Sequence, residues 1–226
     1  LSAPLRLNVW RAPLANELDG WNAYSAGAPR SSGYGSIGHS NTLASHYYSA
    51  GLDNLGQVVA SVSARTFEGG AAVDVRELIL LGGGRGETRQ LDQYISGMSF
   101  DGFESIWSYI VYGDGRVNIR HTVKPHGTMP PYLPRIGITF VLDGSLSNVQ
   151  WYGRGPQANY PDRKSGYRIG IWNTTVEDMY EPYLIPQEYG LRTDNRWVRM
   201  TDSDGKGVEF SVDQLFNFNA YPYTTD

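Results

Sequence analysis

The side chains best suited to chemistry gather in two stretches of the second half of the chain, Trp151 to Gly166 (WYGRGPQANYPDRKSG) and Asp178 to Trp197 (DMYEPYLIPQEYGLRTDNRW). Tyrosine, tryptophan, amide, carboxylate and guanidinium groups are concentrated there. Planar polar groups of these kinds can each pair with two neighbouring hydroxyls, and an aromatic ring can pack against the C–H face of a pyranose. A sugar is therefore the ligand this mixture suits. Trp151, Arg154, Asp162, Arg163, Glu188 and Arg192 are the candidates for a sugar groove, with Tyr152 and Tyr160 as further stacking surfaces. A competing reading has Arg154, Asp162, Arg163, Glu188 and Arg192 pairing with one another to hold an irregular loop together. Composition alone favours that second reading, and for any single aromatic residue it favours core packing over ligand stacking.

General acid–base chemistry needs two proton-transfer groups in one groove. His121, His126 and Glu188 form the obvious trio, which would suit a mutarotase-like aldose epimerase. However, His121 lies in phase with Val117, Ile119 and Val123, the position of a satisfied core histidine, and His126 follows Pro125 in a turn-like setting. The remaining alternatives are a non-catalytic carbohydrate-binding module using Trp151, Tyr152 and Tyr160, and a purely structural domain. With four histidines, no cysteine and no acidic cluster at ligand spacing, no metal site and no cofactor are expected.

These side chains must be positioned by strands. Period-2 alternation marks Val58 to Phe67, Ala72 to Leu81, Phe103 to Tyr112, Arg116 to Lys124, Arg135 to Leu142, Val149 to Tyr152, Trp197 to Thr201 and Val208 to Val212. Gly113-Asp114-Gly115 and Asp202-Ser203-Asp204-Gly205 read as hairpin turns. Helical periodicity is scarce, and strands do not alternate with helices, which disfavours a parallel α/β architecture. The expected fold is all-β, a single large antiparallel β-sandwich over residues 1–226. Ala12 to Ser45 and Gly153 to Thr193 read as long irregular stretches, of the kind that carry function or contact a partner. The second has more aromatic anchors and prolines, so the first is expected to be the more mobile.

A formal net charge of −4 argues against nucleic acid as a partner. No apolar run approaches the length of a membrane-spanning helix, so no membrane partner is expected. The compartment is not legible. The opening Leu1-Ser2-Ala3-Pro4 lacks an initiator methionine, and the expectation is that the chain lies within a longer gene product.

Four motifs, in order along nearly the whole chain, carry a resemblance. Trp10 to Glu17 (WRAPLANE) is similar to W-R-A-P-x-D-N-D. Trp151 to Arg163 (WYGRGPQANYPDR) is similar to G-x-G-P-x-E-x-Y-x-D-R. Ile185 to Thr193 (IPQEYGLRT) is similar to P-Q-E-N-G-x-R-T, and Phe216 to Thr224 (FNFNAYPYT) to F-N-x-S-x-x-P-Y-T. Together they resemble the C-terminal domain of β-galactosidases of glycoside hydrolase family 2. Ala158, Tyr189 and Ala15 depart from the family's usual Glu, Asn and Asp.

The resemblance implies a sandwich similar in fold to galactose mutarotases. It also implies a parent enzyme that hydrolyses terminal β-D-galactosides with retention, which requires two carboxylates about 5 Å apart. Both of those residues belong to a separate TIM-barrel domain of the same polypeptide, so this chain is expected to have no catalytic residue and no activity alone. The domain packs beside the barrel and helps to close the galactoside pocket. The family continues beyond the last motif to a loop whose Trp serves as a sugar platform, and the chain is accordingly expected to be truncated at its C-terminal end. By resemblance, Asn16, Glu17 and Asp19 are the remaining candidate substrate contacts, and Arg11 belongs to the motif that sets their loop. Homo-oligomerisation of the parent stays open.

Overall fold

The structure is a computed structural model that describes residues 3–14, 17, 42–83, 94–95, 97, 99–183 and 188–223. It is an all-β chain of antiparallel sheets, the class expected from the period-2 runs. Its contacts divide it into two compact units, one of Leu7–Gly137 and one of Leu1–Arg6 with Ile138–Asp226.

In the unit of residues 7–137, four long strands form a meander: β2 (Gly56–Phe67), β3 (Gly70–Leu80), β4 (Gly102–Tyr112) and β5 (Val117–His126). The turn between β4 and β5 closes where expected. Gly115 takes φ +90°, and the Asp114 carboxylate accepts from the Arg116 N–H at 3.0 Å. Register places Val62, Val75, Trp107 and His121 in one row and Ser63, Asp74, Ser108 and Arg120 in the next. Successive rows point to opposite faces, so one face is apolar and the other mostly polar. The short helix α1 (Leu43–Ser49) is capped by the Thr42 hydroxyl, which accepts from the Ser45 N–H at 3.0 Å. It delivers Tyr47 to a core with Leu7, Val9, Leu52, Ile79 and Phe103, at one end of the apolar face. Val58, Leu78 and Leu80 form a smaller cluster on the other face with Tyr94 and Phe100.

In the second unit the sheet order is β10 (Gly207–Phe218), β9 (Arg192–Thr201), β7 (Asn148–Gly155) and β8 (Arg168–Thr175). Its inner face buries Val149, Trp151, Val198 and Met179, with Trp172, Phe210, Phe216 and Phe218 packed around them. Met179 arrives on a single 3-10 turn, Glu177–Met179. A two-stranded ladder of β1 (Ala3–Asn8) and β6 (Gly137–Val141) completes the elements, and Phe140 meets Phe210 with ring centroids 4.9 Å apart.

Two expectations need correction. The stretch Gly153 to Thr193 is not irregular throughout: β7 runs on to Gly155, β8 lies wholly inside it, and β9 begins at Arg192. Arg168 to Thr175 (RIGIWNTT) alternates only briefly, and its glycine and flanking turn residues conceal the strand. The end of Ala12 to Ser45 likewise contributes to a helix. Most of that stretch lies outside the described residues, as does the comparison of mobility built on it.

Candidate functional site

The second and third sequence motifs meet in the unit that contains Ile138–Asp226. The glycines of WYGRG are required by close packing. A Cβ at Gly153 would lie 2.0 Å from the Asn195 side-chain oxygen, and one at Gly155 would lie within 3 Å of the rings of both Trp172 and Trp151. The chain then turns through a cis Gly155–Pro156 bond and brings Asn159 inward.

Asn159 is completely buried and clips the two motifs together. Its amide nitrogen donates to the Arg154 and Gln157 carbonyls at 3.3 and 3.0 Å, and its oxygen accepts from the Thr193 N–H at 3.1 Å and the Thr193 hydroxyl at 2.5 Å. Its own N–H donates to the Leu191 carbonyl at 2.8 Å. Asn195, also fully buried, ties the Arg192 carbonyl to the Phe216 carbonyl and so joins the fourth motif.

Arg154 donates to the Asp194 carboxylate at 2.5 Å and to the carbonyls of Lys164 and Tyr167 at 3.1 and 2.8 Å. Lys164 adds a second cation at 2.9 Å. Hydrogen bonds from Arg154 and Lys164 hold the Asp194 carboxyl below the usual carboxylate range. Asp194 has φ +55°, a left-handed conformation that is uncommon for a residue with a side chain. The two cations fix it there.

The structure separates the remaining groove candidates. Trp151 is fully buried, with its indole N–H donating to the Arg154 carbonyl at 3.0 Å. Arg192 is 4% exposed and lies over the Trp151 ring at 5.1 Å. Its Nη1 donates to the Gly190 carbonyl at 3.0 Å, and burial pulls its pKa down. Arg163 lies over the Tyr160 ring at 4.8 Å. Burial, then the charge of Glu188, pushes the Tyr160 phenol up to about 12. Glu188 accepts from the Asn219 amide at 3.2 Å. Asp162 is exposed, and Arg154 takes Asp194 as its carboxylate partner instead. Arg154 therefore pairs with an acid that the expectation of mutual pairing did not name.

Tyr152 is exposed on the outer face of β7, beside Trp197, with Arg196 over its ring at 5.1 Å. Of the aromatic platform suggested from sequence, Tyr152 is on the surface and Trp151 inside the core. Asn159, Thr193, Asp194 and Asn195 were missed, although the run Arg192-Thr193-Asp194-Asn195 continues the third motif and offered a signal.

In the other unit, Arg11 and Glu17 form a buried two-point ion pair at 2.6 and 2.8 Å. The same carboxylate accepts from the Leu14 N–H at 2.7 Å and the Tyr47 phenol at 3.1 Å. Burial and Glu17 together raise the Tyr47 pKa to about 12. Asn16 and Asp19 lie outside the described residues. His121 stacks on Trp107 with ring centroids 3.5 Å apart, and its Nε2 lies 2.9 Å from the Ser105 hydroxyl. Burial lowers its pKa to about 4. His126 stacks on Phe100 on the opposite face of β5. The two histidines do not share a groove.

Comparison with known proteins follows these motifs. The family model described as "Beta galactosidase small chain" matches residues 1–226. A β-galactosidase of Priestia megaterium is 38% identical over 117 residues, which is 52% of this chain and 11% of that protein. One of Vibrio cholerae is 29% identical over 200 residues, covering 88% of this chain and 17% of that protein. One of Kluyveromyces lactis is 34% identical over 120 residues, covering 52% of this chain and 11% of that protein. The matched part of the chain thus spans between about a tenth and a sixth of the length of these relatives.

Proposed function

Because the chain belongs to the β-galactosidase small-chain family, we propose that it is an accessory module of a longer retaining β-galactosidase. A separate TIM-barrel domain of the same polypeptide supplies the two catalytic carboxylates, and this module packs beside it and shapes the galactoside pocket. The module carries no catalytic residue, requires no cofactor and is inactive alone. The observation that best supports this reading is how the motif side chains are used. Arg154, Asn159, Asp194 and Asn195 bind backbone carbonyls, backbone N–H groups and one another, so their chemistry goes into fixing loops. The Arg11–Glu17–Tyr47 cluster likewise spends its polar groups on one another, and Glu17 stands next in sequence to Asn16 and two residues before Asp19. In this reading Asn16 and Asp19 contact the sugar, and Glu17 acts by holding their loop.

The test is kinetic, on the longer polypeptide. Asn16→Ala and Asp19→Ala should each lower kcat/KM for a nitrophenyl β-galactoside by roughly tenfold or more, the order of one lost polar contact to substrate. Unchanged kcat/KM in both variants would remove the pocket-shaping role.

A further inference from the structure

The sheet β10–β9–β7–β8 buries Trp151 and Val198 on its inner face, and its outer face has a different composition. Register sets Ile171, Tyr152, Trp197 and Ser211 in one outward row, and Asn173, Gln150, Arg199 and Glu209 in the next. The second row is a polar ladder across all four strands. The Gln150 amide donates to Asn173 Oδ1 at 2.8 Å, while Arg199 reaches Gln150 Oε1 at 3.5 Å and donates through Nε to the Glu209 carboxylate. In the first row the Tyr152 and Trp197 ring centroids are 6.4 Å apart, with their planes tilted by 53°. Arg196 lies over the Tyr152 ring at 5.1 Å, and Arg199 over the Trp197 ring at 4.7 Å. Tyr152 is 36% exposed and Ile171 59%. Covering this face with apolar side chains would take Arg199, Glu209, Gln150 and Asn173 out of water together, a costly burial of polar groups. Its aromatic rings therefore stand on a surface built to stay wet.

We propose that this outer face is a non-catalytic binding surface for a neutral oligosaccharide. Tyr152 and Trp197 supply ring surface for the C–H faces of the sugar rings, and Gln150, Asn173, Arg199 and Glu209 pair with its hydroxyls. The two kinds of group stand in adjacent rows, so one glycan laid across the strands meets both. Four strands span about 14 Å, room for a short oligosaccharide rather than a single sugar. The surface is ordered before a ligand arrives: a guanidinium rests against each ring and the ladder bonds fix the polar side chains, which lowers the entropy lost on binding. Neutrality of the ligand follows from the charges. Arg199 is offset by Glu209, and Arg196 donates to the Asp194 carbonyl at 2.6 Å, so no cluster of unpaired cations awaits an acidic glycan. Tyr152 was legible in the sequence as a stacking surface; Trp197 joins it only through the register of β7 with β9. The site lies within the unit that contains Ile138–Asp226 and does not depend on where the catalytic carboxylates stand.

The test is a titration of the 226-residue chain, followed by tryptophan fluorescence and by amide NMR shifts. The probes are β-1,4-galactotetraose, cellotetraose and maltotetraose, with tetragalacturonate as the acidic counterpart. At least one neutral tetrasaccharide should bind saturably, with shifts centred on Gln150, Tyr152, Asn173, Trp197 and Arg199. Trp197→Ala and Tyr152→Leu should each weaken that binding by roughly tenfold, the order of one lost stacking contact. A cross-strand aromatic pair also strengthens a sheet. Tyr152→Leu keeps an apolar contact there while removing the flat ring, and Gln150→Ala removes a hydroxyl partner without touching the rings, so these two decide the matter if Trp197→Ala fails to fold. Asp162→Ala, at an exposed position away from the platform, should bind as the parent chain does. No saturable binding of any neutral probe, or binding that survives both Tyr152→Leu and Gln150→Ala, would overturn the proposal. Binding of tetragalacturonate alone would also overturn it, as would loss of the site in the longer polypeptide, where another part of the protein would then cover this face.

Discussion

Replacing Glu17 by alanine should be among the most damaging single changes in this chain. The carboxylate receives two bonds from Arg11, one from the Leu14 N–H and one from the Tyr47 phenol. Arg11 is 9% exposed and Glu17 6%. Removing one partner of a buried ion pair strands the other charge in a poorly solvated site, at a cost of about 3–5 kcal/mol. That is a large part of the roughly 5–15 kcal/mol that stabilises a typical domain. Urea unfolding followed by tryptophan fluorescence measures it. The paired replacement Arg11→Met with Glu17→Leu should cost less than Glu17→Ala alone, because no charge remains to be desolvated. Glu17→Gln adds a spectroscopic check. The Tyr47 pKa, about 12 through burial first and Glu17 second, should fall when the negative charge goes. A Glu17→Ala cost below about 1 kcal/mol, the range of an exposed pair, would refute the argument.

Three further outcomes follow from the packing. His121 is held neutral, with its pKa lowered to about 4 against an ordinary 6.5, so the unfolded chain binds the proton more readily. Stability from this group is present above pH 6.5 and is lost as pH falls toward 4; His121→Gln should flatten that part of a melting-temperature profile. Asn159→Ala leaves the buried Thr193 N–H without its acceptor and should cost about 1–3 kcal/mol in urea unfolding, whereas Asp162→Ala, at an exposed position, should be nearly silent. Gly155→Ala would place a methyl group 2.7 Å from the Trp172 ring and 2.9 Å from the Trp151 ring, and should cost about 1–3 kcal/mol by calorimetry.

The β2–β5 meander was readable because its strands are long, alternate cleanly and end in glycine turns. Strand β8 was hidden because Ser165 and Gly166 stand just before it, Gly170 lies within it, and its pairing with β7 supplies the order that local sequence lacks. β1 was missed for a similar reason: it is six residues long and meets β6, more than a hundred residues away in sequence. At the motif loops, residue types were legible and partners were not. Arg154 was marked as a pairing residue, but only the fold brings Asp194 to it across forty residues. Trp151 was marked as a stacking surface because alternation does not say which face of β7 is inward; its pairing with Trp172 and Val198 decides that. The motif glycines were explicable only once the rings beside Gly155 were in place.

The central claim is that these residues build and support a site whose catalytic carboxylates lie elsewhere in the polypeptide. The most direct measurement is hydrolysis of a nitrophenyl β-galactoside by the 226-residue chain itself, with folding confirmed by circular dichroism. The account predicts a rate indistinguishable from buffer. Sustained turnover that disappears in a folded Glu188→Gln variant would contradict it.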